Sequence, residues 1–303
     1  MERRVEITDK TLVALWDIYG DKLKEKIPEL RELTTLIYVI GSDYIEITPK
    51  LYDLLFPLPE GIEFRVNVKK EIYIDSGENV ESAIYKYSDA SILNNARIVG
   101  LDDLIMYNYR DKFSLIKNSI GKSVEMSIGN SKGCSTALTL EWIRNGGKHV
   151  ITSFAGIGGY TPLEELLCSI DFLQKVSLRG DHKLLPRVME LFEDITGEEI
   201  PENKPLIGKR IFDVESGIHV DGILKNPKSF EPYEPSKIGK AIKIIIGKFS
   251  GNKAIKIKLN ELNIPYNDKD IDKILNEVRT MSTQKKRSLD DSELIEICNK
   301  LGA

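Results

Sequence analysis

The chain has 303 residues, 41% hydrophobic and 30% charged, which is enough for one large domain plus a smaller one with a sizeable buried core. A net charge of −4 and a pI near 5.7 exclude the broad basic face that nucleic-acid or anionic-membrane binding needs. No apolar run approaches the ~18 residues of a membrane span and the opening Met-Glu-Arg-Arg lacks an apolar signal region, so the cytoplasm is the expected compartment.

In chain order, short β-branched runs alternate with longer periodic stretches. Val5 to Ile7, Tyr44 to Ile47, Phe64 to Val68, Ala96 to Val99, Val124 to Ile128 and Val150 to Phe154 read as strands. Asp21 to Thr35, Leu101 to Lys117, Thr136 to Asn145 and Pro162 to Lys175 read as helices. The alternation predicts a parallel α/β architecture. Ala155-Gly-Ile-Gly-Gly-Tyr-Thr-Pro-Leu-Glu-Glu165 is read as a strand-to-helix loop, with Thr161 as N-cap, Pro162 at the first helical position and Glu164 completing a capping box. Around Gly158 and Gly159 such a loop is either a backbone cradle for a phosphate or carboxylate or simply a tight turn.

After Gly197 the alternation stops. Glu198-Glu-Ile-Pro-Glu-Asn-Lys-Pro205 has the proline and charge content of a linker, which divides residues 1–197 from residues 198–303. Within the second region, Ser216 to Glu231 packs histidine, acid, lysine and glycine into one polar stretch, read here as a loop because neither a core strand nor an amphipathic helix is built this way. His219 in such a loop is either a structural imidazole bonded to backbone or an acid–base group working across a cleft. From Asp268 to Gly302 two apolar stripes, Ile271/Ile274/Leu275/Val278 and Leu294/Ile295/Ile297/Leu301, predict two small closing helices. Lys285-Lys-Arg287 reads as a solvated helix end. Cys134, Cys168 and Cys298 are odd in number and widely spaced, so they read as reduced, packed thiols.

Gly217-Ile-His-Val-Asp-Gly-Ile-Leu-Lys225, with the later Gly247-Lys-Phe-Ser-Gly251, resembles the linker that follows the barrel in the 2-isopropylmalate synthase and homocitrate synthase family, which condenses acetyl-CoA with a 2-oxo acid. Gly41-Ser-Asp-Tyr-Ile-Glu-Ile47 is similar to the second barrel strand of that family. The likeness implies an α/β fold: a degenerate TIM-type (β/α) barrel followed by a small α+β linker and a C-terminal helical subdomain. The interval from Asp9 to Ser127 is shorter than six strand–helix units of roughly 25 to 30 residues require, so the barrel is expected to be incomplete, flattened or patched by segments such as Glu71 to Asp75.

The family's metal and enolate motifs are missing. Where its first strand ends in Asp-Thr-Thr-Leu-Arg-Asp-Gly, this chain has Asp9-Lys-Thr-Leu-Val-Ala-Leu15, with Val13 and Ala14 in place of the arginine and the metal aspartate. Where the family has His-x-His-Asn-Asp-x-Gly, Ser127-Ile-Gly-Asn-Ser-Lys-Gly133 keeps Asn130 and Gly133 but neither histidine, and a family Glu-Arg pair is Gly159-Tyr160. A hard divalent cation needs several converging oxygen or imidazole ligands, so no metal or other cofactor is expected in this chain.

The linker, by contrast, keeps the family outline. The likeness implies catalysis by His219, with Asp221 and with Tyr233 as a nearby hydroxyl, while Gly158 and Gly159 are the substrate-binding candidates of the loop read above; a family tyrosine that works with the histidine is Phe230 here and a second family histidine is Phe249. Family members cover the barrel mouth of a partner subunit with this linker. The likeness is strongest toward the omega subunits of split homocitrate synthases found in some anaerobic nitrogen fixers. It implies a non-metal subunit, inactive alone, whose residues 198–303 cover the active site of a catalytic alpha subunit that holds the divalent metal. The implied reaction is acyl transfer with conversion to alkyl: acetyl-CoA, 2-oxoglutarate and water give homocitrate and CoA. Two alternatives stay open: a non-catalytic scaffold or regulatory paralogue of an isopropylmalate-, citramalate- or citrate-type enzyme, which Phe230 and Phe249 favour, and a metal-independent lyase using His219 alone.

Overall fold

A computed structural model describes residues 5–302 of the chain except 68, 76, 87–95, 103, 121–123, 175–178, 227–229 and 232. Val68 and Lys175, expected to end a strand and a helix, lie outside the described residues, as do Pro227, Lys228 and Ser229 of the polar stretch. The chain divides into two compact units, Met1–Ile207 and Gly208–Ala303.

In unit 1 the β-branched runs pair side by side. Strands β1 (Glu6–Asp9), β2 (Tyr44–Glu46), β3 (Phe64–Arg65), β4 (Lys70–Ile74), β5 (Ala96–Gly100), β6 (Glu125–Met126) and β7 (His149–Ser153) form one parallel sheet in the order β3-β2-β1-β7-β6-β5-β4, and the two-residue β8 (Thr161–Pro162) adds to β7. Six of these are the expected runs, and β4 is the patching segment around Glu71. Between them run α1 (Thr11–Tyr19), α2 (Ile27–Ile40), α3 (Pro49–Leu55), α4 (Val80–Tyr85), α5 (Tyr109–Ile120), α6 (Ser135–Arg144), α7 (Leu163–Gln174) and α8 (Leu185–Thr196).

Successive strand residues point to opposite faces. Ile7, Ile45, Ile98 and Met126 are buried on one side, and α2 adds Leu30, Leu33, Ile37 and Ile40 as one helical stripe. The other face carries Thr8, Glu46, Arg97 and Glu125, all nearly inaccessible. Arg97 on β5 reaches Glu46 on β2 (Nη2 to Oε2, 2.7 Å) and Glu125 on β6 (Nε to Oε2, 2.9 Å). Since β2 and β5 lie four places apart in the sheet, this contact requires the sheet to curl into a barrel around its polar face. Only four residues separate β3 from β4 in the sequence, far fewer than the dozen or more a parallel crossover needs, and the two are the end staves of the strand order. The result is an incomplete TIM-type barrel with fewer staves than eight.

The first helix departs from the sequence reading. Asp9 Oδ1 accepts the Thr11 N–H (2.9 Å), which starts α1 directly after β1 and puts Thr11 to Leu15 in the core. Val13 and Ala14 therefore pack inside a helix rather than line a strand-end loop.

Unit 2 opens with a two-stranded parallel pair, β9 (Asp213–Val214) and β10 (Lys243–Ile244), and α9 (Gly217–Lys225). Helices α10 (Asn252–Glu261), α11 (Ile271–Lys285) and α12 (Asp291–Leu301) enclose Ile255, Leu259, Ile274, Val278, Leu294 and Ile297. The predicted closing pair is α11 and α12, though Ile295 and Leu301 face solvent and Cys298 takes the buried place. Asp290 and Glu293 form a reciprocal capping box at α12, and Lys285 and Arg287, exposed at the end of α11 as expected, also pair with Glu293.

Truncating Arg97 to Ala leaves buried Glu46 with only Lys10 at 3.7 Å and buried Glu125 with Lys69 at 3.3 Å and Arg65 at 3.9 Å, and the expected loss of stability is about 3 kcal/mol in urea unfolding. Replacing Arg97, Glu46 and Glu125 together by apolar residues of similar volume should recover most of it; a single-mutant loss below ~1 kcal/mol would show that the network is not what holds the barrel.

Candidate functional site

Two places carry the residues singled out by sequence. The first is the barrel mouth. At the C-terminal ends of the strands a cleft of about 440 Å³ is lined by Glu71, Tyr73, Asp102, Ser127, Asn130, Tyr160, Gly158 and Gly159. Its floor is the turn Phe154–Gly159, where Ala155, Gly156, Gly158 and Gly159 all have φ between 55° and 80°. Glycine at 158 answers a close approach as well, because a Cβ there would stand 2.9 Å from the Ala14 Cβ and 3.0 Å from the Tyr160 ring.

The capping box expected at α7 is absent. Thr161 Oγ1 pairs with Thr139 Oγ1 at 3.0 Å, and Glu164 Oε2 accepts the Ala155 N–H at 2.9 Å, so both side chains serve the turn and the neighbouring helix instead. Asn130 and Gly133 are accounted for locally: Asn130 Oδ1 accepts from Ser135 N and Oγ at the start of α6, and the Gly133 N–H donates to the Asn130 carbonyl.

The residues at this mouth do not fit a divalent cation. Ala14 and Gly129 have no donor atom, and a Cβ built on Gly129 would overlap the Asp102 carboxylate, which fills the space a side chain needs there. Among the described residues no three His, Cys, Asp or Glu side chains converge as ligands.

The second place is the surface of unit 2 around His219. The polar stretch expected to be a loop is in fact helical from Gly217 to Lys225. Its glycines are needed because neighbours press on the helix: a Cβ at Gly217 would meet the Gly251 N at 3.0 Å, and one at Gly222 would overlap the Phe230 ring. Val220 faces inward, while Ile218 is 79% exposed and His219 is exposed beside it. The His219 imidazole leans on Phe230, with centroids 5.8 Å apart, and has no hydrogen-bond or ion-pair partner among the described residues. Asp221 turns to Lys225 (2.7 Å) and to Lys253 on α10, and these two ammonium groups hold its carboxyl below the usual range. Tyr233 packs edge-on against Phe212 at 5.7 Å. The structure thus brings His219 to Phe230, and ties Asp221 to lysines.

Phe249, where the sequence lacks the family histidine, is 67% exposed on a rigid turn. Its N–H donates to Glu215 Oε1 (2.9 Å), Gly247 N–H donates to Ser250 Oγ (2.9 Å), and Arg279 donates to the Ser250 carbonyl (2.7 Å). The Gly217 N–H donates to the Phe249 carbonyl, which ties the start of α9 to this turn. Sequence reasoning missed the buried charges of unit 1. The signal was present in a single charged residue inside each β-branched run, Glu46, Arg97 and Glu125.

Comparison with known proteins agrees with these motifs. A family model described as "Homocitrate synthase post-HMGL domain-like" matches residues 206–286. The homocitrate synthase omega subunit of Clostridium pasteurianum is 32% identical over 78% of this chain and 65% of that protein. A 2-isopropylmalate synthase of Caldanaerobacter subterraneus is 32% identical over 79% of this chain and 63% of that protein. The chain thus spans just under two thirds of the length of either relative. Among solved structures, an HMG-CoA lyase from Acinetobacter baumannii, in complex with coenzyme A and 3-methylmalate, aligns over 66% of this chain and 93% of that one, with 11% identity and a TM-score of 0.46.

The close fit of Phe230 over α9 yields a direct test. Gly222→Ala should displace the Phe230 ring, cost about 1–3 kcal/mol in chemical unfolding of the full chain, and move the His219 ring-proton resonances by removing the aromatic shielding. Unchanged resonances would mean that Phe230 does not orient the imidazole.

Proposed function

The chain belongs to the homocitrate and 2-isopropylmalate synthase family, acyl-CoA condensing transferases, and from that premise we propose that it is the non-metal subunit of a homocitrate-type synthase, supplying His219 in trans to a catalytic partner. The observation that carries this reading is a contrast between the two units. At the mouth of unit 1 Ala14, Gly129 and Gly158 offer no side-chain ligand and no three ligating side chains converge among the described residues, whereas unit 2 presents an exposed imidazole against Phe230, with Ile218 and Phe249 exposed as well. An apolar, rigid, exposed aromatic patch is the composition of an interface anchor.

In this proposal the partner is an alpha-type subunit whose intact barrel holds the divalent metal and the 2-oxo acid. The condensation removes a methyl proton from acetyl-CoA, joins that carbon to the keto carbon and leaves an alkoxide that must take up a proton; water then cleaves the thioester to a carboxylate and the CoA thiol. An exposed imidazole without a hydrogen-bond partner among the described residues can carry the proton to the alkoxide or receive the one from the methyl group. Asp221 acts through position: its links to Lys225 and Lys253 tie α9 to α10 and fix the ring's mounting. Tyr233 is the further hydroxyl we assign to this surface. Gly158 and Gly159 contribute in unit 1 only backbone, to a small anion at most.

A second reading has its own observation. Phe230 and Phe249 replace the tyrosine and histidine of the family pattern, which suits a surface that docks without taking part in chemistry. On that reading the chain is a scaffold or regulatory paralogue of an acyl-CoA condensing enzyme.

His219→Ala separates the two. Supplied in trans as an acid–base group, its loss should lower kcat of the reconstituted pair by ~10²- to 10⁴-fold with assembly unchanged. An assembled variant complex with wild-type kcat leaves only the scaffold reading.

The purified chain by itself is expected to release no CoA thiol from acetyl-CoA with any 2-oxo acid, and to carry no stoichiometric zinc, manganese or magnesium on elemental analysis. Turnover by the isolated chain, or one tightly held metal per chain, would overturn the division of labour.

A further inference from the structure

Two carboxyls in unit 1 are unused by the reading above. Asp9, at the end of β1, and Glu164, in the first turn of α7, are both fully inaccessible to solvent. Each has one oxygen bonded and one orphaned: Asp9 Oδ1 accepts Thr11 N–H while Oδ2 has no donor, and Glu164 Oε2 accepts Ala155 N–H while Oε1 has none. Buried carboxylate oxygens without donors are costly when charged and tolerable when protonated.

The charges around the pair do not balance it. Asp9 senses Glu164 and Glu46, and Glu46 is already committed to Arg97. Glu164 faces Lys204, Glu165 and the Cys168 thiol. Lys204 Nζ stands 3.5 Å from Glu164 Oε1 but nearer to Glu165, at 2.8 Å. Lys10, next to Asp9 in sequence, is engaged with Glu46, Glu71 and Tyr160. Lys204 is thus shared between two carboxyls and no cation pairs with Asp9 among the described residues, so ionising both Asp9 and Glu164 would leave a buried negative charge uncompensated.

Both carboxyls hold the same backbone. Glu164 bonds the N–H of Ala155, a non-glycine residue at φ 55°, and Thr11, whose N–H is bound by Asp9, accepts the Phe154 N–H on its hydroxyl at 2.7 Å. The turn they secure is the floor of the mouth cleft.

We propose that Asp9 and Glu164 form a proton-held latch on the turn Phe154–Gly159, which holds the floor of the mouth cleft in place while the pair retains a proton and loosens it when the proton leaves. Burial pushes each carboxyl up to about 7, with the neighbouring carboxylates adding to it. The sign follows: a carboxyl raised in the folded state stabilises that state fully at acid pH, and the contribution is lost as pH rises through about 7.

Hydrogen exchange on the full chain, corrected for the intrinsic rate, tests this at about pH 6 and about pH 8.5, on peptides covering residues 153–162. Wild type should lose protection by ~10-fold or more across that range, about one unit of free opening equilibrium. Asp9→Asn and Glu164→Gln keep the hydrogen-bond acceptors and should flatten the step, while Lys204→Met should move it to higher pH by removing the cation that favours ionised Glu164. Flat wild-type protection, or a step that survives in Glu164→Gln, overturns the latch. Should Asp9→Asn fail to fold, Glu164→Gln and Lys204→Met decide the question alone.

Discussion

Unit 1 hangs on the buried guanidinium of Arg97. It joins β2 to β5, four places apart in the sheet, as the longer Arg65–Glu125 pair (3.9 Å) joins β3 to β6, and it does so in a region from which water is nearly excluded, where an ion pair is strong only if every partner is present. Around it Glu125 also faces Lys69 and Arg65, and Glu46 and Glu71 both face Lys10. A full eight-stave barrel fills its interior with layers of branched side chains. This shorter one fills part of it with charge, and the charges fix the register because a one-residue slip would send them outward.

The same compaction explains the mouth. Helix α1 begins so soon after β1 that Val13 and Ala14 are drawn into the core, Gly158 closes on Ala14, and Asp102 takes the space beside Gly129. A side chain at Gly129 would meet the Asp102 carboxylate and one at Gly158 the Ala14 Cβ, so these two positions are filled even though a cleft lies beside them.

In unit 2 the pressure is opposite. Glycines at 217 and 222 let α9 seat against Gly251 and Phe230, the 247–251 turn is satisfied by Glu215, Ser250 and Arg279, and the outcome is a firm mounting for exposed Ile218, His219 and Phe249. Large apolar side chains held rigidly in solvent are unusual unless something covers them. That expectation supports the subunit reading and its scaffold alternative alike, and only chemistry at His219 separates the two.

The parallel α/β class, six strands and the two closing helices were legible from period and β-branching, because burial on a sheet face or helix stripe is written directly in residue spacing. The family likeness was legible too, since it rests on residue identities at motif positions. What tertiary structure alone decided were outcomes set by distant neighbours. The Gly217–Lys225 stretch is a helix because Gly251 and Phe230 pack on it, against its local polar composition; Thr161 and Glu164 abandon a capping box because Thr139 and the Ala155 N–H lie within reach; β4 enters the sheet because β5 offers it an edge. Arg97 could be seen in the sequence as a charge inside a strand. That it meets Glu46 across a curled sheet depends on closure, which no local pattern encodes.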